Sequence, residues 1–136
     1  MKIFVIDDNK VSRDNLVMMI RSGTRNSGTR LVDEIVDCDS KETLYQLRRK
    51  QFDDVDLIFI RALTLIDNQQ ISAIAAALEI PMVVVHNVYS SHDPAHVDIP
   101  HVVAHIERPV TAEKVRASII SLLGEIDVLE SPMVLG

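Results

Sequence analysis

Val55-Asp-Leu-Ile-Phe-Ile-Arg61 is the stretch from which the fold can be read. Leu57, Ile58, Phe59 and Ile60 run without polar alternation, which is the pattern of a strand covered on both faces at the centre of a parallel sheet. Such a strand delivers its last residue to the carboxyl edge, where open α/β sheets place their chemistry. That residue is Arg61. A guanidinium stays charged at ordinary pH, so burying it is costly unless acids lie close by. The first apolar run, Ile3 to Ile6, ends on Asp7 and Asp8, and these are the acids expected to meet Arg61.

Outward from this strand, apolar runs alternate with helical patterns. Residues 2–7 predict a first buried strand, followed by a helix capped by Asp8 or Asn9 and running to about Ser22, with Val11, Leu16, Met19 and Ile20 as its apolar stripe. Arg21 to Arg30 carries glycines, serines and three arginines and predicts a mobile loop. Leu31 to Asp37 alternates, as a strand near the sheet edge does. Ser40 is then expected to cap a helix to about Lys50, with Leu44 and Leu47 facing inward and Arg48, Arg49 and Lys50 complementing the C-terminal end of its dipole. Beyond the central strand, a short loop and an Ala- and Ile-rich helix over about Asn68 to Leu78 lead to Pro81 and a further continuous apolar strand, Met82 to Val85, ending at His86. This order predicts a parallel α/β sandwich with right-handed crossovers.

Between His86 and Pro100 the alternation falters. Pro94, Pro100 and two serines replace strong helix formers, so a loop or at most one or two turns is expected where a fourth helix is due. His101 to Ile106 predicts the last strand. Arg108-Pro109 closes it, and Thr111 caps a final helix in which Val115, Ile119, Leu122 and Leu123 recur at helical spacing up to Gly124. Glu125 to Gly136, with Pro132, predicts a tail. The expected division is one domain over 1–124 and, over 125–136, a tail or a linker to an absent C-terminal region.

Composition narrows the function. At 136 residues and 47% hydrophobic, one domain with a proper core is expected. A formal charge of −6 and a pI near 5.2 argue against nucleic acid as the partner of this domain. The single cysteine, Cys38, allows no internal disulfide, CxxC motif or cysteine-rich zinc site. No apolar run is long enough for a signal peptide or a membrane span, so a soluble cytoplasmic protein is expected. The chain has no GxxxxGK loop, GxSxG elbow or GxGxxG turn, and no enzymatic activity is expected.

The Asp7-Asp8 pair, the Asp-Leu-Ile-Phe-Ile strand, the strand opened by Pro81 and the basic-Pro step before the last helix together resemble the receiver domain of two-component response regulators. The resemblance spans about residues 1 to 124, and the spacing from His86 to Arg108 matches the family's hydroxyl and basic positions. It implies a flavodoxin-like, doubly wound sheet of five parallel strands, here with the fourth helix short or missing. It also implies that Asp7 and Asp8 stand where working receivers hold Mg2+. Arg61 stands at the phospho-accepting aspartate, His86 at the Thr or Ser that triggers the switch, and Arg108 at the phosphoryl-contacting lysine. Pro109 fits the family's Lys-Pro step, whose peptide bond is often cis.

Charge counting gives these departures a consequence. Three aspartates and a lysine put a working pocket at roughly −2, which welcomes Mg2+. Two aspartates against two arginines give a charge of about zero, leaving a hard cation nothing to neutralise, and a guanidinium is no phosphate acceptor. The expectation is a degenerate receiver, or pseudo-receiver: no cofactor, no phosphotransfer, and a role in binding a protein partner or a second copy of itself, with a downstream effector domain. In receivers the face made by the fourth helix, last strand and last helix passes the signal on. Here Val88, Tyr89, Val97 and Ile99 are the expected apolar anchors of that surface. Two other readings stand beside this one. All five histidines fall between His86 and His105, and His92, His96, His101 and His105 with Asp93 offer zinc ligands at x3 spacings. Arg21-x3-Arg25 offers a site for a small anionic ligand.

Overall fold

The computed structural model describes residues 1–25, 32–48, 54–86 and 101–130, with the side chains of residues 47, 48 and 124–130 excepted. Among them the chain runs β1 (Lys2–Ile6), α1 (Lys10–Thr24), β2 (Glu34–Cys38), α2 (Ser40–Arg48), β3 (Leu57–Arg61), α3 (Ala62–Asp67), α4 (Gln69–Ala77), β4 (Met82–His86), β5 (Val102–Glu107) and α5 (Ala112–Glu130). All strand pairs are parallel and the sheet order is β2-β1-β3-β4-β5, so the apolar run of β3 does lie at the centre. The five-stranded doubly wound fold expected from the sequence is the one found.

Strand alternation splits the core into two layers. Phe4 and Ile6 of β1, Ile58 and Ile60 of β3, and Met82 and Val84 of β4 face the side packed by Leu44 of α2, Ala62 and Leu65 of α3, and Ile71 and Ala75 of α4. The intervening residues, Ile3 and Val5, Leu57 and Phe59, Val83 and Val85, face Leu16, Val17 and Ile20 of α1 and Val115 and Ile119 of α5. Both faces of β1, β3 and β4 are thus covered, which is why their sequences carry no polar alternation. The outer strands differ. In β5 the covered residues alternate with exposed ones, and the exposed ones include Val103 and His105; in β2, Ile35 and Val36 are half-buried, Glu34 and Asp37 are exposed and Cys38 is buried.

Several local expectations shift. Asn9 is the residue that caps α1, its side chain accepting from Ser12 N at 2.9 Å, while Val11 is 80% exposed and lies off the buried stripe. Asp39, not Ser40, caps α2 by accepting from Glu42 N at 2.8 Å. The third crossover has no loop after β3. α3 begins at Ala62, and Asn68 breaks the path into two helices by turning its side chain back to the Thr64 carbonyl at 2.9 Å. α1 continues to Thr24, so Arg21 and Arg25 belong to a helix end instead of a loop. His101 precedes β5 at φ 67 and is exposed, so it does not share a strand face with His105.

Thr111 caps α5 as expected, accepting from Lys114 N at 3.2 Å, but the helix passes Gly124 and runs to Glu130. One glycine inside a helix costs only about 1 kcal/mol, and the Glu and Leu residues after it are good helix formers. The expected loop or short helix over 87–100, the surface residues Val88, Tyr89, Val97 and Ile99, and the zinc candidates His92, Asp93 and His96 lie outside the described residues. Among the described residues, no helix is long and apolar enough to cross a membrane.

α1 and α5 pack closely across Gly23. A Cβ built there falls 2.7 Å from the Ala112 carbonyl oxygen, and Arg116 Nε donates to the Gly23 carbonyl at 2.9 Å. Helix propensity alone says that Gly23→Ala stabilises α1 by about 1 kcal/mol. The contact with fixed backbone reverses the sign, and a net loss of about 1–3 kcal/mol is expected from urea unfolding. Cys38 is buried at the end of β2, and its thiol pKa is pushed up to about 11, chiefly by desolvation, with a hydrogen-bonding contact to Thr43 Oγ1 at 3.0 Å opposing the shift. Fewer than about one thiol in a thousand is then ionised at pH 7.5, so Ellman's reagent should label the folded protein far more slowly than the urea-unfolded one.

Candidate functional site

The strand register builds the site. Ile6 of β1 is paired with Ile60 of β3, so the next residues along the two strands, Asp7 and Arg61, emerge side by side at the carboxyl edge. By alternation both continue the rows that face α1 and α5, Asp7 after Val5 and Arg61 after Phe59. Their side chains therefore meet: Arg61 Nη1 lies 3.7 Å from Asp7 Oδ1. From the other side, Arg108 Nη2 lies 3.6 Å from Asp7 Oδ2. Arg108 is held there because its backbone N–H donates to the His86 carbonyl at 2.9 Å, and a cis peptide bond joins it to Pro109.

Asp7 is completely buried, whereas the Arg61 and Arg108 side chains keep 23% and 29% of their surface. One carboxylate is thus enclosed between two guanidiniums that still reach water. Its other contacts are fixed by the start of α1. Asp7 Oδ1 accepts from Asn9 N at 2.9 Å, and the Ser12 hydroxyl donates to Oδ2 while accepting from Arg108 Nη2. Arg13 secures the backbone at the same point, donating to the Asp7 carbonyl at 2.8 Å and pairing through Nε with Asp37 Oδ2 at 3.2 Å. The Arg108 pKa is lowered, first by burial and then by the nearby positive charge of Arg61, with Asp7 opposing both.

The expected second acid does not join. Asp8 is exposed, its carboxylate accepts from Ser40 N at 2.7 Å at the start of α2, and its own N–H donates to Thr64 Oγ1 at 3.2 Å. A carboxylate at a helix N-terminus is favourably placed against the helix dipole, and that position competes successfully with Arg61. The balance expected from the sequence, two aspartates against two arginines, is therefore corrected to one aspartate facing two. His86 is also apart. It continues the row of Met82 and Val84, on the opposite face from Asp7 and Arg61, and its ring meets His105 of β5 edge to face with centroids 5.7 Å apart.

Of the residues singled out in the sequence, the structure gathers Asp7, Arg61, Arg108 and Pro109 at one edge and directs the side chains of Asp8 and His86 elsewhere. Ser12 and Arg13 were missed. Their signal was available: a helix that starts immediately after a strand-end acid turns the polar residues of its first turns back toward that acid. Among the described residues, no group of three or more His, Cys, Asp or Glu side chains could hold a metal ion.

No family model and no curated protein matches the sequence. Solved structures do match. The chain is similar to a response regulator receiver domain protein from Clostridium thermocellum at a TM-score of 0.63 and 13% identity, covering 94% of this chain and 98% of that one. It is similar to the REC domain of AraT, a response regulator from Geobacillus stearothermophilus, at 0.60 and 17%, covering 96% and 98%. It is also similar to the Francisella novicida lysine decarboxylase LdcF at 0.59 and 10%, covering 93% of this chain but 17% of that one. Likeness at these identities is a statement about architecture, and one that reaches a decarboxylase subunit leaves activity undecided. The chain has the receiver fold.

Proposed function

We propose that this chain is a phosphorylation-independent, receiver-like signalling domain, a pseudo-receiver that acts through protein contacts as part of a signalling or transcription-regulating protein. The observation that carries the reading is the Arg61 guanidinium turned onto Asp7 Oδ1 at 3.7 Å. Arg61 offers no carboxylate to accept a phosphoryl group. Asp7, enclosed by Arg61, Arg108, Asn9 N and the Ser12 hydroxyl, has no oxygen left open to a hard cation that demands several oxygen ligands. Asp8 is committed to the start of α2. Two-component response regulators among the structural relatives, one of them a transcriptional regulator, supply the class of role, with a downstream effector domain as the natural partner.

Output then depends on surface alone. Val103 of β5 and Ile120 of α5 are 40% and 54% exposed, and with Val88, Tyr89, Val97 and Ile99 they are the proposed anchors for a partner or a second copy. Zinc binding by the histidines is the weaker reading, because His86, His101 and His105 do not assemble into a ligand cluster among the described residues.

Incubating the protein with Mg2+ and acetyl phosphate should leave its intact mass unchanged, and a gain of one phosphoryl group on any acid would overturn the proposal. Asp7→Asn separates the two kinds of pocket by sign. Neutralising one acid of a crowded, metal-free carboxylate cluster relieves repulsion and stabilises, whereas here it strips two partly buried guanidiniums of their counter-charge. A loss of about 2 kcal/mol in urea unfolding is expected.

A further inference from the structure

The face of α1 opposite the buried Leu16 and Ile20 carries a row that the core does not use. Val11, Asp14, Met18, Arg21 and Arg25 are all exposed and recur at intervals of three and four residues, so they form one stripe along the helix. The stripe is ordered by charge. Asp14 lies toward its N-terminal end, Arg21 and Arg25 lie toward its C-terminal end, and Met18, 54% exposed, stands between them. Asp14 is 3.5 Å from Lys10, but both side chains are more than half exposed, so the carboxylate remains open to a further cation. Among the described residues no acid pairs with the guanidinium of Arg21 or Arg25. We infer that this stripe is a contact between two copies of the chain, their α1 helices packed antiparallel across a two-fold axis at Met18.

The charge order selects both the occupant and its direction. A two-fold contact sets each patch against itself, so the patch must be self-complementary. At 1.5 Å of rise per residue, Asp14 lies about 6 Å to one side of Met18 and Arg21 about 4.5 Å to the other. Turning one helix end for end about Met18 therefore brings Asp14 of each copy beside Arg21 of the other. The same operation sets Arg25 against Val11, which is equally far from Met18 and 80% exposed, and the aliphatic stem of an arginine covers apolar surface while its head stays in water. A parallel pair would stack Asp14 on Asp14 and Arg21 on Arg21, so like charges exclude it. A small anion fits less well, because Asp14 and Asp37 stand in the same groove as Arg21 and Arg25 and repel it. Exposed ion pairs are individually weak, which makes this a reversible contact whose charges chiefly fix its register. It lies on a different helix from Ile120 and does not depend on how the Asp7 pocket is used.

Sedimentation velocity of the 136-residue protein from micromolar to millimolar concentration tests the contact, and a reversible monomer–dimer equilibrium is expected. Asp14→Arg and Arg21→Asp, both at exposed positions, should each weaken it tenfold or more, because each replaces two attractions by two repulsions across the axis. Mixed together, the two variants are complementary, and their heterodimer should recover the parent affinity to within a few-fold; Lys41→Glu on α2 should leave the equilibrium unchanged. If either charge variant unfolds, Met18→Cys provides a second measurement. It should be joined to itself by a short bis-maleimide, while the buried Cys38 stays unreacted and Lys41→Cys gives no crosslinked dimer. A protein that stays monomeric to millimolar concentration, a dimer indifferent to both charge variants, or the absence of the Met18→Cys crosslink overturns the inference. Loss of the dimer in Ile120→Glu with its survival in Asp14→Arg also overturns it, and moves self-association to the surface of β5 and α5. None of these results bears on phosphorylation, so the pseudo-receiver reading stands or falls separately.

Discussion

The arrangement depends on a single carboxylate that cannot reach water. Asp7 leaves β1 at the point where the sheet's two covering layers part, and every group around it is a donor: a backbone amide, a hydroxyl and two guanidiniums. A buried charge is tolerated only when its lone pairs are filled, and the environment supplies donors from three separate segments, the start of α1, the end of β3 and the turn before α5. The cost of leaving any of these groups alone couples the ends of three strands to the start of one helix. This polar knot is accordingly a determinant of how the carboxyl edge is organised, and it occupies the place where an open α/β sheet ordinarily receives a ligand.

Most of the fold was legible because it follows from burial. Uninterrupted apolar runs in β1, β3 and β4 mean two covered faces, and two covered faces mean central strands. The meeting of Asp7 with Arg61 was legible for the same reason, since both terminate central strands. What sequence could not supply was direction. Asp8 follows Asp7 by one residue and is chemically identical, yet the turn after β1 places it outside, beside the start of α2. His86 ends its strand as Arg61 does, but it stands on an even row where Arg61 stands on an odd one, so the two side chains part at the edge. Charge counting on residue types gave a neutral pocket; counting on side-chain directions gives a positive one.

Boundaries failed where competing preferences were close in energy. Gly124 is a weak stop, since a lone glycine costs a helix far less than a proline, and α5 passes it to Glu130. The apolar pattern after Asn68 is strong enough to mark α4, whereas α3 before it, six residues with Ala62 and Leu65 buried, is too brief to show a period. The result brings the third crossover directly off Arg61, with no intervening loop to move the guanidinium away from the edge.

The direct start of α3 after β3 also fixes Arg61 in place. A residue on a flexible loop can swing between states, whereas Arg61 is the last residue of the central strand and the first flank of a helix, so its backbone is fixed on both sides. Any change of state at this edge must therefore come from what occupies the space beyond the two guanidiniums or from the surface across β5 and α5. The Arg108 backbone joins the two regions, because its N–H is bonded to the last residue of β4 while its side chain enters the Asp7 knot, and α5 begins a few residues later. An event at the knot thus has a short covalent path to the helix whose apolar Ile120 remains exposed. A path of contacts is a route for coupling only where it has two stable arrangements.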